Sequence, residues 1–127
     1  MILKVKVSSP EERLKKKIIS DLRKLELPID EVDLSLRPFS KTYYGKYYPV
    51  NDKSVRPRLW IYPYVTKEND FLPYSRILDT GIHEMCHHIQ HTDPNFERAY
   101  GVMHNEDFWK LFQSYHEKAV ENKIIKE

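Results

Sequence analysis

The sequence predicts an α+β fold, and three observations carry that expectation. The spacing of apolar residues is helical near the start, alternating in the middle and helical again towards the end. The elements read in the order β-α-β-β-β-α-α, with strands and helices grouped rather than strictly alternating. No repeat, low-complexity segment or Gly/Ser linker divides the 127 residues, so residues 1–127 are expected to form one domain.

Met1 to Val7 alternates apolar and basic residues and reads as an N-terminal strand. Ser9-Pro10-Glu11-Glu12 then reads as a helix start. The Ser9 hydroxyl can accept from a free N–H, Pro10 suits the first turn, and Glu12 can complete a capping box. This helix is expected to run to about Lys24, with Leu14, Ile18, Leu22 and Leu25 near one face and Pro28 just beyond its end.

The middle of the chain is β-like. Val32, Leu34 and Leu36 alternate with polar residues before Pro38. Tyr43-Tyr44-Gly45-Lys46-Tyr47-Tyr48 places a glycine between aromatic pairs, the pattern of a hairpin turning at Gly45. Arg58 to Tyr62 is a third strand, which Pro63 ends or places at an edge. Together these predict a small antiparallel sheet.

From Leu72 the period becomes helical. Leu78, Ile82, Met85 and Ile89 share a face, and Pro94 ends the helix after a turn at Thr92 and Asp93. A loop to about Met103 precedes a last helix, roughly Asn105 to Asn122, striped by Phe108, Phe112, Tyr115 and Ala119.

Composition narrows the function classes. Apolar residues make up 40% and charged residues 31%, mean hydropathy is −0.68, and no apolar run approaches the ~20 residues of a membrane span. The first residues lack the unbroken apolar stretch of a signal peptide. Cys86 is the sole cysteine, which excludes an internal disulfide framework and a Cys-only zinc site and points to a reducing, cytoplasmic setting. Residues 1–60 carry a net charge of +6 and residues 61–127 a net of −4. That asymmetry would suit a polyanion on the N-terminal half, without by itself arguing for nucleic acid.

The chemistry-bearing motif is His83-Glu84-Met85-Cys86-His87, a H-E-x-x-H run inside the expected helix. Residues four apart lie one turn apart on one face, so the two imidazoles can share one tetrahedral zinc. Glu84 projects beside them, at the position of a general base. On an ideal helical wheel the two histidines point roughly 120–160° from the apolar stripe, which leaves one side for a core and another for a cleft. The motif would arise by chance in such a composition about once in forty chains. The plain alternative is a solvated helix face that happens to carry histidines.

A zinc hydrolase needs a third protein ligand, with a fourth position for water. His91 lies about 12 Å along the helix from His83 and cannot share its ion. His88 points away from the ligand face; it and His91 could each be a surface residue or contact substrate, and the surface reading is preferred. His116 sits mid-helix and reads as half-exposed. His104 follows His87 at a spacing that lets the chain leave the helix, loop and return. It is the preferred third ligand, with Glu106 and Asp107 as carboxylate alternatives.

The run from His83 to His88, followed by His104-Asn105-Glu106-Asp107-Phe108-Trp109, resembles the SprT-like (Spartan-type) metallopeptidase domain. Members carry H-E-x-x-H on one helix and a His opening the next, commonly followed by Gly and then an aromatic. Phe108 and Trp109 match the aromatic position, and Asn105 stands in place of the Gly. The resemblance spans about residues 40–120 and is specific mainly at 83–109. It implies a zincin-like fold, zinc held by His83, His87 and His104, and Glu84 as the general base of a metalloendopeptidase. It implies a protein or peptide substrate and an association with DNA, which here would use the basic N-terminal half. With one cysteine, the Cys-rich zinc ribbon that often follows the domain is not expected.

Other assignments follow from local chemistry. A tyrosine from Tyr43–Tyr48, or Tyr100, is the candidate donor to a developing oxyanion. Asp79, one turn before His83, could orient a ligand imidazole through its free N–H, but the solvated carboxylate is the preferred reading. The tyrosines interleaved with Lys41 and Lys46 either contact a nucleic-acid strand or pack on each other, and the packing reading is preferred. Cys86 is expected to pack rather than ligate. The competing functions are a catalytically weak zinc-binding adaptor and a nucleic-acid-binding module with a structural metal.

Overall fold

A computed structural model describes residues 8–50, 55–67, 70–93 and 104–125. The expected strand Met1–Val7, the loop from Pro94 to Met103 and Tyr100 lie outside the described residues.

Helix α1 spans Pro10–Lys24. Ser9 caps it by accepting from the Glu12 N–H at 3.1 Å, with Glu11 and Glu12 at the positive end and Arg23 and Lys24 at the negative end. Ile18 and Leu22 are buried, as is Leu25 just beyond. The chain leaves the helix through Glu26 in the left-handed region (φ 64°), which lets the Leu27 N–H return to the Leu22 carbonyl at 3.1 Å. A single 3-10 turn, Ile29–Glu31, leads into the sheet.

Strands β1 (Asp33–Leu36), β2 (Gly45–Tyr48) and β3 (Arg58–Ile61) form a sheet of order β1-β3-β2. The expected antiparallel sheet is corrected to a mixed one: β2 pairs antiparallel with β3, but β1 pairs parallel with it. The reason lies in the connection. The chain passes from β1 to the far side of the sheet as β2, and β3 returns into the gap between them. Asp33 N–H to the Pro57 carbonyl and Arg37 N–H to the Ile61 carbonyl extend the parallel ladder at both ends.

The expected hairpin at Gly45 is also corrected. Gly45 begins β2 and pairs opposite Ile61 rather than turning the chain between tyrosines. It is a glycine because its backbone presses against the next helix. A Cβ there would lie 2.6 Å from Thr80 Cγ2 and 3.1 Å from Glu84 Cγ.

Helix α2 spans Tyr74–Thr92 and helix α3 spans Glu106–Glu121. Leu78, Ile82 and Met85 of α2 are fully buried, and Ile89 is half-buried against them. On α3, Phe108 and Ala119 are buried and Phe112 and Tyr115 partly so, as the stripe predicts. The core lies between α1, α2 and one sheet face, where Leu34, Leu59 and Ile61 point inward. No helix among the described residues is long and apolar enough to cross a membrane. Among the described residues the architecture is α+β, with three helices and a small mixed sheet.

Candidate metal centre

Helix α2 carries His83 and His87 one turn apart, on the flank turned towards α3. His104 arrives from the other side, immediately before α3. Its ring nitrogen Nε2 lies 3.2 Å from His83 Nε2 and 3.0 Å from His87 Nε2. Ligand atoms of the three rings all fall within 4.8 Å of one another. A tetrahedron with Zn–N bonds of 2.0–2.1 Å has edges of about 3.4 Å, so this spacing fits three corners of one zinc site. The donor chemistry fits as well. Three lone-pair nitrogens in a tight triangle repel each other unless a proton or a cation lies between them.

Local chemistry fixes this arrangement. His87 Nδ1 donates to Gln90 Oε1 at 3.2 Å, which leaves Nε2 with its lone pair facing the cluster. Phe108 stacks under His87 with centroids 4.5 Å apart and meets His83 and His104 edge-on at 5.0 Å. Trp109, itself 47% exposed, stacks on His104 at 5.6 Å. Asn105 is the N-cap of α3 and accepts from the Phe108 N–H at 2.9 Å. Its φ of −80° and ψ of −179° are open to any residue, so this turn does not require glycine.

Electrostatics favour neutral imidazoles. Burial, reinforced by His87 and His104, pushes the His83 pKa down to about 4. His87 is also lowered, chiefly by burial, with the bond to Gln90 opposing the shift and His104 and His91 adding to it. Neutral histidine is the metal-binding form. Glu84 is only 6% exposed, and burial pushes its carboxyl up to about 7. A carboxyl near neutrality exchanges protons readily at physiological pH.

A cleft of about 400 Å³ opens beside these groups, lined by Tyr43, Tyr44, Gly45, His83, Glu84 and Phe112. Tyr43 and Tyr44 are exposed at its rim, whereas Tyr47 and Tyr48 are turned elsewhere. Cys86 is fully buried and its thiol is pushed up to about 12 by burial, which suits packing. Glu106 and Asp107 are exposed in the first turn of α3 and lie outside the histidine cluster.

Two sequence assignments change, and one residue joins the site. His88 is not a surface residue. It is 1% exposed, and both its nitrogens are engaged, Nδ1 with the Tyr47 hydroxyl at 2.7 Å and Nε2 with Glu31 Oε1 at 2.8 Å. Asp79 is neither freely solvated nor paired with a ligand histidine. It holds His116 Nδ1 at 2.7 Å and so ties α2 to α3. Gln90, absent from the sequence reading, is the group that orients the His87 imidazole. Its position three residues after His87 was the available signal. His91 is exposed, with its ring 5.9 Å from that of Tyr47.

Comparison of the chain with protein-family models, with curated proteins and with solved structures finds no match.

Proposed function

We propose that the protein is a zinc-dependent metalloendopeptidase. One observation carries this reading: three imidazole nitrogens converge beside a buried carboxyl with a pKa near neutrality, at the wall of an open cleft. His83, His87 and His104 would hold zinc. When bound, zinc supplies a Lewis acid that polarises a scissile carbonyl and draws the pKa of water down towards about 7.

The chain's own groups supply the rest. The Glu84 carboxylate takes a proton from the attacking water and returns it to the departing amine nitrogen. Tyr43 and Tyr44 line the cleft and are the tyrosines placed to donate to the developing oxyanion. Strand β2 is one of the two edge strands of the described sheet, and its first residue lies against Glu84. An extended peptide laid along β2 would pass the histidines, its backbone held by strand addition. The reading agrees with what the resemblance to SprT-like metallopeptidases implies.

The test is hydrolysis of β-casein by zinc-loaded protein. Glu84→Gln should lower turnover at least about a hundredfold while zinc remains stoichiometric. His104→Ala should lower zinc affinity. Stoichiometric zinc without turnover by the unaltered protein would favour the adaptor.

A second reading concerns partners. The sheet face turned away from the core carries cations laid on aromatic rings. Arg37 lies 4.3 Å from the Trp60 ring centre, Arg58 4.8 Å from that of Tyr48, and Lys46 4.1 Å from that of Tyr43. Arg58 Nε is buried with no hydrogen-bond partner among the described residues. Such a face suits the phosphates of a single-stranded nucleic acid. Binding to a dT oligonucleotide should weaken steeply with salt, and Arg58→Ala should reduce the log–log salt slope by about 1.

A further inference from the structure

The peptidase reading uses His83, Glu84, His87 and His104 and leaves unexplained the most buried histidine of the chain. His88 follows a proposed ligand directly, yet its ring points to the opposite flank of α2, towards β2 and the turn before β1. Its two nitrogens join three elements. The Tyr47 hydroxyl donates to Nδ1, and the Nε2 N–H donates to the Glu31 carboxylate. Burying an imidazole costs free energy, and these two bonds offset that cost.

What the bonds hold is the axial position of β2. Side chains two apart on a strand share a face, so Gly45 and Tyr47 both turn towards α2. Gly45 rests on Thr80 and Glu84, and Tyr47 rests on His88 and His91. Two strand residues rise about 6.6 Å and four helix residues about 6 Å, so strand and helix keep step. Gly45 has no side chain with which to grip the helix. The Tyr47–His88 bond is therefore a polar anchor of this pairing, one turn from Glu84.

We infer that the Tyr47–His88–Glu31 chain is a positioning device that fixes the register of the substrate-bearing strand against the catalytic carboxyl, and so selects which peptide bond is cut. The inference rests on the peptidase reading. None of the three residues touches substrate. They act through β2, whose alignment sets how far an added peptide runs before its carbonyl reaches the histidines.

The experiment compares zinc-loaded wild type, Tyr47→Phe, Glu31→Ala and Glu31→Gln on β-casein. Products are mapped by mass spectrometry and the kinetics resolved into kcat and KM. Tyr47→Phe keeps the ring and removes only the hydroxyl. It is expected to raise KM about threefold to tenfold, leave kcat within about twofold, and add cleavages displaced by two residues from the wild-type bonds. Glu31→Ala, which removes the exposed carboxylate partner of His88, should move the same way more weakly. Glu31→Gln, which still accepts from His88, should restore the wild-type pattern. Amide exchange in zinc-free protein gives a readout independent of activity: residues 45–48 should exchange faster in Tyr47→Phe while α2 is unchanged. Unaltered KM and cleavage sites in Tyr47→Phe, or unaltered exchange in β2, would overturn the inference with the peptidase reading intact. A wild type that cuts nothing, no differently from Glu84→Gln, would overturn the peptidase reading and the register role with it.

Discussion

Glu84 is where burial and reactivity meet in a single side chain. In the zinc-free protein its carboxyl sits near 7 against an ordinary 4.5. A carboxyl pKa raised by folding means that the folded state holds the proton more tightly. Its stabilising contribution is thus present below pH 4.5 and is lost as pH rises through 7. Glu84→Gln should therefore stabilise the zinc-free protein at pH 8 by on the order of 3 kcal/mol and change it little at pH 4. Urea unfolding at the two pH values checks this, and equal stability at pH 8 would refute it. His83 has the opposite sign. Its pKa is lowered to about 4, so its contribution is present above 6.5 and is lost as pH falls through 4. Acid should weaken the zinc-free fold through this residue and His87. The histidine pair and Glu84 were legible in the sequence because helical spacing alone puts them together. His88 was misread because the wheel gives its direction on α2 but not what lies there. Tyr47, which covers it, comes from a strand forty-one residues earlier.

At the scale of elements, the approach of His104 depends on how α3 begins. Asn105 fixes that start through its bond to the Phe108 N–H, and Phe108 is the aromatic floor under all three imidazoles. Asn105→Ala should cost about 1 kcal/mol of stability and weaken zinc binding, while Asn105→Asp should retain both. Thermal melts and competition with a zinc chelator measure the two effects. The junction of β2 and α2 is tighter still. Gly45→Ala would force a methyl group against Thr80 and Glu84 and should destabilise the fold by about 1–3 kcal/mol, with turnover falling as Glu84 is displaced. The helices were legible in outline because capping and periodicity are local: Ser9, Pro10 and the stripe on α2 lie where the pattern places them. The hairpin was not, because a glycine flanked by aromatics fits a turn and a close contact equally well. Only the arrival of α2 distinguishes the two.

At the scale of the molecule, the core and the histidine cluster are largely separate. Ile18, Leu22, Leu59, Ile61, Leu78 and Ile82 are almost fully buried without needing the three histidines. Phe108 is the fully buried residue that belongs to both. Leu22→Ala should cost about 2–5 kcal/mol and leave zinc affinity nearly unchanged. Removing zinc with a chelator should lower the melting temperature yet leave one cooperative unfolding transition. Circular dichroism follows both. Loss of the fold on chelation would instead mark the metal as structural.

The sequence by itself determined the helices, the α+β class and the two-histidine, one-carboxylate face of α2, because caps and helical period act over a few residues. It also ranked His104 above its rivals, through the room that the loop gives the chain to return. Tertiary structure alone decided the parallel pairing of β1 with β3, the place of Gly45 against Glu84, and the buried life of His88. Each of those depends on which distant segments meet. That is settled by the joint burial of apolar faces and the need to pair every buried polar group, a condition on the whole chain that no local window contains.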